Sequence, residues 1–245
     1  MQLKRRLAGI LFAAVLSWFL LATIPVAPSP IGSGVDASWQ YGLNLAHQRG
    51  IPFGTGLVFT MGPFAYLMYP DGDLASGARV LTLLVSGYVL LVYGVARLAW
   101  RCGAGVGALA AFVFGIASLY WLQYPDAWQV SCLAVLLAAA AHRHRFPALD
   151  LTVAGLAAGF TLLLKFNDGV TLCAIFYVLA AWSWRRFRAH RAALFVACLP
   201  PAVLLAGMAS QGPLAATLPY ARFTFEIGRG YSEAMGSPGP VAQML

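Results

Sequence analysis

The ionisable residues of this chain sit between apolar runs, and one set stands out: Asp36, Asp71, Asp73, Asp126, Lys165, Asp168, Arg222, Glu226, Arg229 and Glu233. A carboxylate in such a set can accept a proton from an attacking hydroxyl or coordinate Mg²⁺ or Mn²⁺, while lysine or arginine neutralises a phosphate leaving group. Those are the requirements of sugar transfer from a polyprenyl phosphate. Other chemistries lack their patterns. There is no GxxxxGK[ST] phosphate loop, no HExxH zinc helix and no GxSxG elbow. His142, His144 and His190 lie among arginines and read as solvated interfacial groups, whereas His47 falls beside the acidic set. Cys102, Cys132, Cys173 and Cys198 have no metal-type spacing and read as small buried apolar residues.

Each candidate also has a plain structural role. Asp36 is placed to cap a helix, and Asp126, after Pro125, to cap the apolar run that follows it. Asp71 and Asp73 flank Gly72 in turn-forming company. Lys165 either snorkels to lipid headgroups or binds a phosphate, with Asp168 as an ion-pair partner. Arg222, Glu226 and Arg229 have the spacing of a surface helix with internal pairing, and Arg229 and Tyr231 are candidates for the lipid phosphate or the donor sugar.

The elements that must position these groups follow from composition. Of 245 residues, 60% are apolar and 10% are charged, a balance that cannot clothe a soluble globule. The net charge of +8 is spread in short clusters between apolar runs, which argues against a nucleic-acid surface. A crossing needs about 20 apolar residues. The candidate spans are 8–27, 80–98, 104–121, 128–141, 149–164, 169–184 and 192–210, in an all-α polytopic bundle forming a single transmembrane domain. The first has the basic start of a secretory signal but reads as an uncleaved anchor, because it is long and Pro25 and Pro28 spoil the cut after Ala27.

With the N-terminus in the cytoplasm, 11 of the 16 basic residues fall on the inner side, from Lys4 through Arg97, Arg143 and Arg145 to Arg191, and the acids fall outside except Asp150. The long outer segments are then 28–79 and 211–245. Within the first, Trp39, Leu43 and Ala46 share one face of a helix over 37–48 that Gly50 ends, and the glycines and prolines beyond it predict turns and close backbone approaches. Pro200 and Pro201 predict a kink in the last span. The tail beyond Gly236 returns no helix, so the chain reads as the N-terminal portion of a longer protein.

The stretch from Val35 to Pro70 resembles the first outer loop of a group of bacterial membrane proteins related to GT-C glycosyltransferases, in which an acid and a surface helix lead into an FGxxxxFTxGP segment. Phe53, Gly54, Phe59, Thr60, Gly62 and Pro63 match that segment, and Glu226 to Pro240 is similar to a later outer loop of the group. Gly56 and Met61 depart from it. The resemblance implies a GT-C-like module of seven helices and gives Asp36 the role of general base or metal ligand. The expectation is therefore a multi-pass protein of the bacterial cytoplasmic membrane. It would transfer a sugar from a polyprenyl-phosphate donor to an acceptor on the outer face, with Mg²⁺ or Mn²⁺ as candidate cofactor. Asp36 would be catalytic, and His47, Asp126, Lys165, Arg229 and Tyr231 would bind substrate. The competing expectations are a transporter or flippase for a lipid-linked intermediate, which needs ionisable pairs near the bilayer midplane, and a noncatalytic membrane protein.

Overall fold

A backbone surrounded by hydrocarbon must satisfy its own hydrogen bonds, so apolar runs of this length become helices. The computed structural model describes residues 2–24, 31, 35–121, 127–142 and 146–236, and among these the regular elements are helical. They are α1 (Gln2–Ala22), α2 (Val35–Gln48), α3 (Leu74–Cys102), α4 (Ala104–Trp121), α5 (Ala127–Ala140), α6 (Ala148–Leu164), α7 (Phe166–Phe187), α8 (His190–Ala197), α9 (Leu199–Gln211) and α10 (Thr217–Gly236). The apolar segments expected to cross are helical over most of their described length, but α1 ends at Ala22 where the first was expected to run to 27, residues 25–27 lie outside the described residues, and the last is divided at Cys198. Among the described residues, three helical stretches are long and apolar enough to cross a membrane: Leu74–Cys102, Phe166–Phe187 and His190–Gln211.

The exterior agrees with a lipid surround. Leu11, Val89, Leu109, Val178, Leu194 and Phe195 are all more than half exposed, a distribution that water would penalise. Inside, α6 is the post around which the bundle is built. It packs against α5, α7 and α9, and Leu151, Ala154, Ala157, Ala158 and Leu163 are buried on successive faces, as in a helix enclosed all round. α3 lies on α5 and α4 through Val80, Leu83, Gly87, Leu91, Val95 and Leu98, spaced three or four apart along one face, and α1 packs on α4.

Local chemistry sets the helix ends. Asp73 caps α3 by accepting from the Ser76 N–H at 2.5 Å, which holds its carboxyl below the usual carboxylate range. Arg188 closes α7 in the left-handed region at φ 52°. Pro200 and Pro201 separate α8 from α9 at Cys198, since neither offers an N–H to the preceding turn. Cys198 is exposed at that jog and Cys102 and Cys173 are half-buried, which corrects the expectation of a uniformly buried set; Cys132 alone of the four is buried.

Candidate functional site

A helix that stops inside a bundle leaves its last carbonyls without partners. α6 stops at Leu164 and α7 starts at Phe166, with Lys165 extended between them (φ −149°, ψ 109°). The segment after α2 satisfies this break. Gly62 N–H donates to the Leu164 carbonyl at 2.9 Å, Phe64 N–H to the Leu163 carbonyl at 2.9 Å, and the Tyr220 hydroxyl of α10 to the Leu162 carbonyl at 3.0 Å. In return Phe166 N–H donates to the Thr60 carbonyl at 3.1 Å, and the Thr224 hydroxyl donates to the Phe59 carbonyl at 3.1 Å. Glycine is required at two of these positions. A Cβ on Gly62 would stand 2.1 Å from the Leu163 carbonyl oxygen, and one on Gly54 (φ +90°) would stand 2.3 Å from that of Ala216. The FGxxxxFTxGP positions thus hold backbone against backbone, and their side chains form core: Phe53 is buried, and Phe59 meets Trp39 of α2 at 5.6 Å between ring centres. As expected, Leu43 and Ala46 of α2 are buried on the same side as Trp39.

This docking builds two polar groups at the loop end of the bundle. At the α6–α7 break, Lys165 pairs with Asp168 at 2.9 Å, and the Gln129 amide donates to the same carboxylate. Beside α2, the His47 ring stacks on Tyr66 at 3.5 Å between centres and 5° between planes. The Arg79 guanidinium carbon lies 5.6 Å from the centre of the Tyr66 ring. Burial lowers the His47 pKa, with Arg79 acting in the same sense and a Gln211 hydrogen bond opposing, while burial raises that of Tyr66. Both rings are therefore neutral at physiological pH and leave Arg79 as the charge of this group. Its Nε is buried with no hydrogen-bond partner.

Arg79 also lines an apolar cavity of about 750 Å³ between α3 and α6, whose walls include Leu83, Leu90, Trp128, Leu156 and Phe160. The cavity ends at Tyr93, where a second polar cluster begins. The Tyr93 hydroxyl donates to Asp150 Oδ1 at 2.5 Å, Arg97 grips both carboxylate oxygens at 2.8 and 3.0 Å, and His142 Nε2 lies 2.5 Å from Oδ2. Arg101 stands 3.9 Å from the same oxygen. Asp150 is fully buried and His142 is 3% exposed. The expectation of a solvated interfacial His142 is therefore corrected: the loop after α5 folds it inward onto Asp150. Burial lowers its pKa, and Asp150 opposes that shift.

Of the residues singled out by sequence, His47, Lys165 and Asp168 belong to these two groups. Asp36 lies in the first turn of α2, one residue inside the helix start where a cap had been expected, and Tyr231 lies in α10; the side chains of both fall outside the described residues, as does all of Asp126. Arg229 is exposed on α10, where Arg222 and Glu226 pair at 3.0 Å as their spacing predicts. Sequence reasoning missed Arg79, Tyr66 and Gln129, and it counted Arg97 and Asp150 without pairing them. The spacing of Tyr93, Arg97 and Arg101 on one face of α3 is the signal that could have found the buried cluster.

An Mg²⁺ or Mn²⁺ centre draws on several oxygen ligands. Among the described residues no three His, Cys, Asp or Glu side chains come together, so they supply no such set. Comparison of the chain with protein-family models, curated proteins and solved structures finds no match.

Proposed function

We propose that this protein is a membrane glycosyltransferase of GT-C type that takes a sugar from a polyprenyl-phosphate donor on the outer face of the bacterial cytoplasmic membrane. The observation that carries the reading is the 750 Å³ apolar cavity running up to the polar loop end of the bundle. A substrate with a hydrocarbon chain and a polar head would fit such a site across its length, with reaction at the head. The docked segment 51–70 supports the reading as well, because it fixes the cavity's polar roof in place before any substrate arrives.

In the proposed reaction an acceptor hydroxyl attacks the anomeric carbon of the donor sugar. Its C–O bond forms as the bond from that carbon to the phosphate oxygen breaks. The hydroxyl proton passes to the Asp36 carboxylate, and the phosphate leaves with its polyprenyl chain carrying the electron pair. Cationic side chains at the loop end stabilise the developing phosphate charge. A transport reading would draw on the buried Asp150 pair, but Asp150 is the third residue of α6, at a helix end and far from midspan.

Sugar transfer from polyprenyl-phosphate donors in membranes carrying the full chain tests the reading. Asp36→Asn is expected to lower the rate roughly 10²–10⁴-fold, the usual contribution of a general base. Transfer at an unchanged rate would remove Asp36 from the reaction, and absence of transfer by the unaltered protein with every donor supplied would sink the function.

A further inference from the structure

We propose that the cavity between α3 and α6 is the seat of a single-chain lipid phosphate, with its phosphate held by Arg79 and its hydrocarbon chain laid along α3 toward Tyr93. The first ground is the cation. A guanidinium stays charged in any protein environment, and its planar fork matches phosphate oxygens. Here its Nε is buried and, among the described residues, no acceptor meets it. The acids nearest in sequence are engaged elsewhere. Asp71 accepts from Gln48 at 2.9 Å, and Asp73 caps α3 through Ser76 N–H, so that it meets Arg79 by charge at a distance and not by a hydrogen bond to the buried Nε. A buried donor on a charged group is costly when unmet, so the ligand this position calls for is an anion with oxygen acceptors.

The second ground is the shape and chemistry of the space below Arg79. From Arg79 to Tyr93 the lining positions of α3 run along one face over fourteen residues, roughly 21 Å at the helical rise. On α6 they are Val153, Leu156, Ala157 and Phe160, spaced three, one and three apart, so the two helices bound a single lane. The polar side chains in the lane are already satisfied. Thr82 donates to the Ala78 carbonyl at 2.8 Å, Ser86 to the Thr82 carbonyl at 2.8 Å, and Tyr93 to Asp150. The lane therefore offers its occupant apolar contact alone; it runs from a cation at one end to the Asp150 cluster at the other and is open along its lipid side, where Val89 and Leu156 are exposed. One charge and one lane specify one phosphate on one chain. A two-chain phospholipid would seat one chain and leave the other in the surrounding lipid, where it gains no contact with the lane.

The inference deepens the transferase reading, because that site would hold the donor's lipid phosphate, but binding can be read without any sugar transfer. The experiment is equilibrium binding of polyprenyl monophosphate to the full chain in detergent micelles, alongside the uncharged polyprenol and a two-chain phosphatidate. Polyprenyl monophosphate is expected to bind, Arg79→Gln to weaken it at least tenfold and Arg79→Lys to restore part of the loss. Polyprenol should bind weakly and equally to all three forms. Val89→Trp, a lipid-facing change that fills the middle of the lane, is expected to weaken both single-chain ligands while Arg79 is intact. Unchanged affinity in Arg79→Gln or in Val89→Trp, or phosphatidate competing as well as polyprenyl monophosphate, would overturn the proposal. Binding that depends on Arg79 without any sugar transfer would leave the site standing and the transferase reading refuted. Transfer whose KM is indifferent to Arg79 would do the reverse.

Discussion

A carboxylate taken out of water is held by its donors, and the loss of one side of such a pair costs more than the loss of both. Asp150 is in this position, with Arg97, His142 and Tyr93 on its oxygens at zero exposure. The cluster ties α3 to α6 and to the loop after α5, and it closes the end of the cavity remote from Arg79. Asp150→Ala would leave the Arg97 guanidinium facing the hole without its anion. It is expected to lower stability by about 3–5 kcal/mol, read by denaturant unfolding in detergent micelles. The double change Asp150→Leu with Arg97→Met should recover part of that loss, since it removes the closest stranded charge and leaves only the more distant Arg101, 3.9 Å from the carboxylate, without its anion. A loss under about 1 kcal/mol for the single change would mean that the cluster is solvated in the membrane-bound protein.

At the scale of elements, the break between α6 and α7 governs the candidate site. Its orphan carbonyls are met by Gly62, Phe64 and Tyr220, which fixes where the segment 51–70 lies and so where Tyr66 and Lys165 stand. Gly62→Ala would drive a methyl group to 2.1 Å from the Leu163 carbonyl, so the segment must lift and the carbonyls lose their donors. The expected result is a destabilised protein that trypsin cuts at Arg49, an exposed residue just before the segment, far faster than the unaltered chain. Gly77→Ala serves as the control: nothing lies within 4 Å of its added methyl, and alanine in a helix is favoured over glycine by about 1 kcal/mol. Equal cleavage of the Gly62 variant and the unaltered chain would refute the docking. These elements also mark what could be read in advance. The apolar face of α2 and the proline jog before α9 depend on residues a few positions apart, which periodicity and backbone chemistry report directly. Arg79 meets Tyr66 from the docked segment, and Asp150 is held from α3 and from the loop after α5. Tyr93 is 57 residues from Asp150, and α3 begins at Leu74, so Arg79, placed in a loop by sequence, stands on a helix wall. Hydropathy reports which face is buried and carries no information on which charge that face will meet.

For the whole molecule, the solvent determines the architecture. Large apolar side chains cover the outside of the bundle, and charges are confined to its ends and to the Asp150 cluster. α3 has 29 residues and is therefore roughly 44 Å long, against a hydrocarbon core of about 30 Å, so its termini project or the helix tilts. α4, α5 and α6 are shorter, with 18, 14 and 17 residues, and the proposal that they cross rests on the pattern of charge. Orientation by lysine and arginine bias would place the arginine-rich ends of α3 and α7 in the cytoplasm and the segment 51–70 outside. If all seven apolar segments cross, Thr55 and Arg185, both exposed, stand on opposite sides of the membrane. Single cysteines at these positions, in a chain whose native cysteines are replaced by alanine, give the test. A membrane-impermeant maleimide applied to intact cells with a permeable outer layer should label Thr55→Cys at once and Arg185→Cys only after lysis. Labelling of both from outside would require an even number of crossings between them. The cavity's polar end would still share a side with Thr55, so the error would lie in the crossings between α3 and α7.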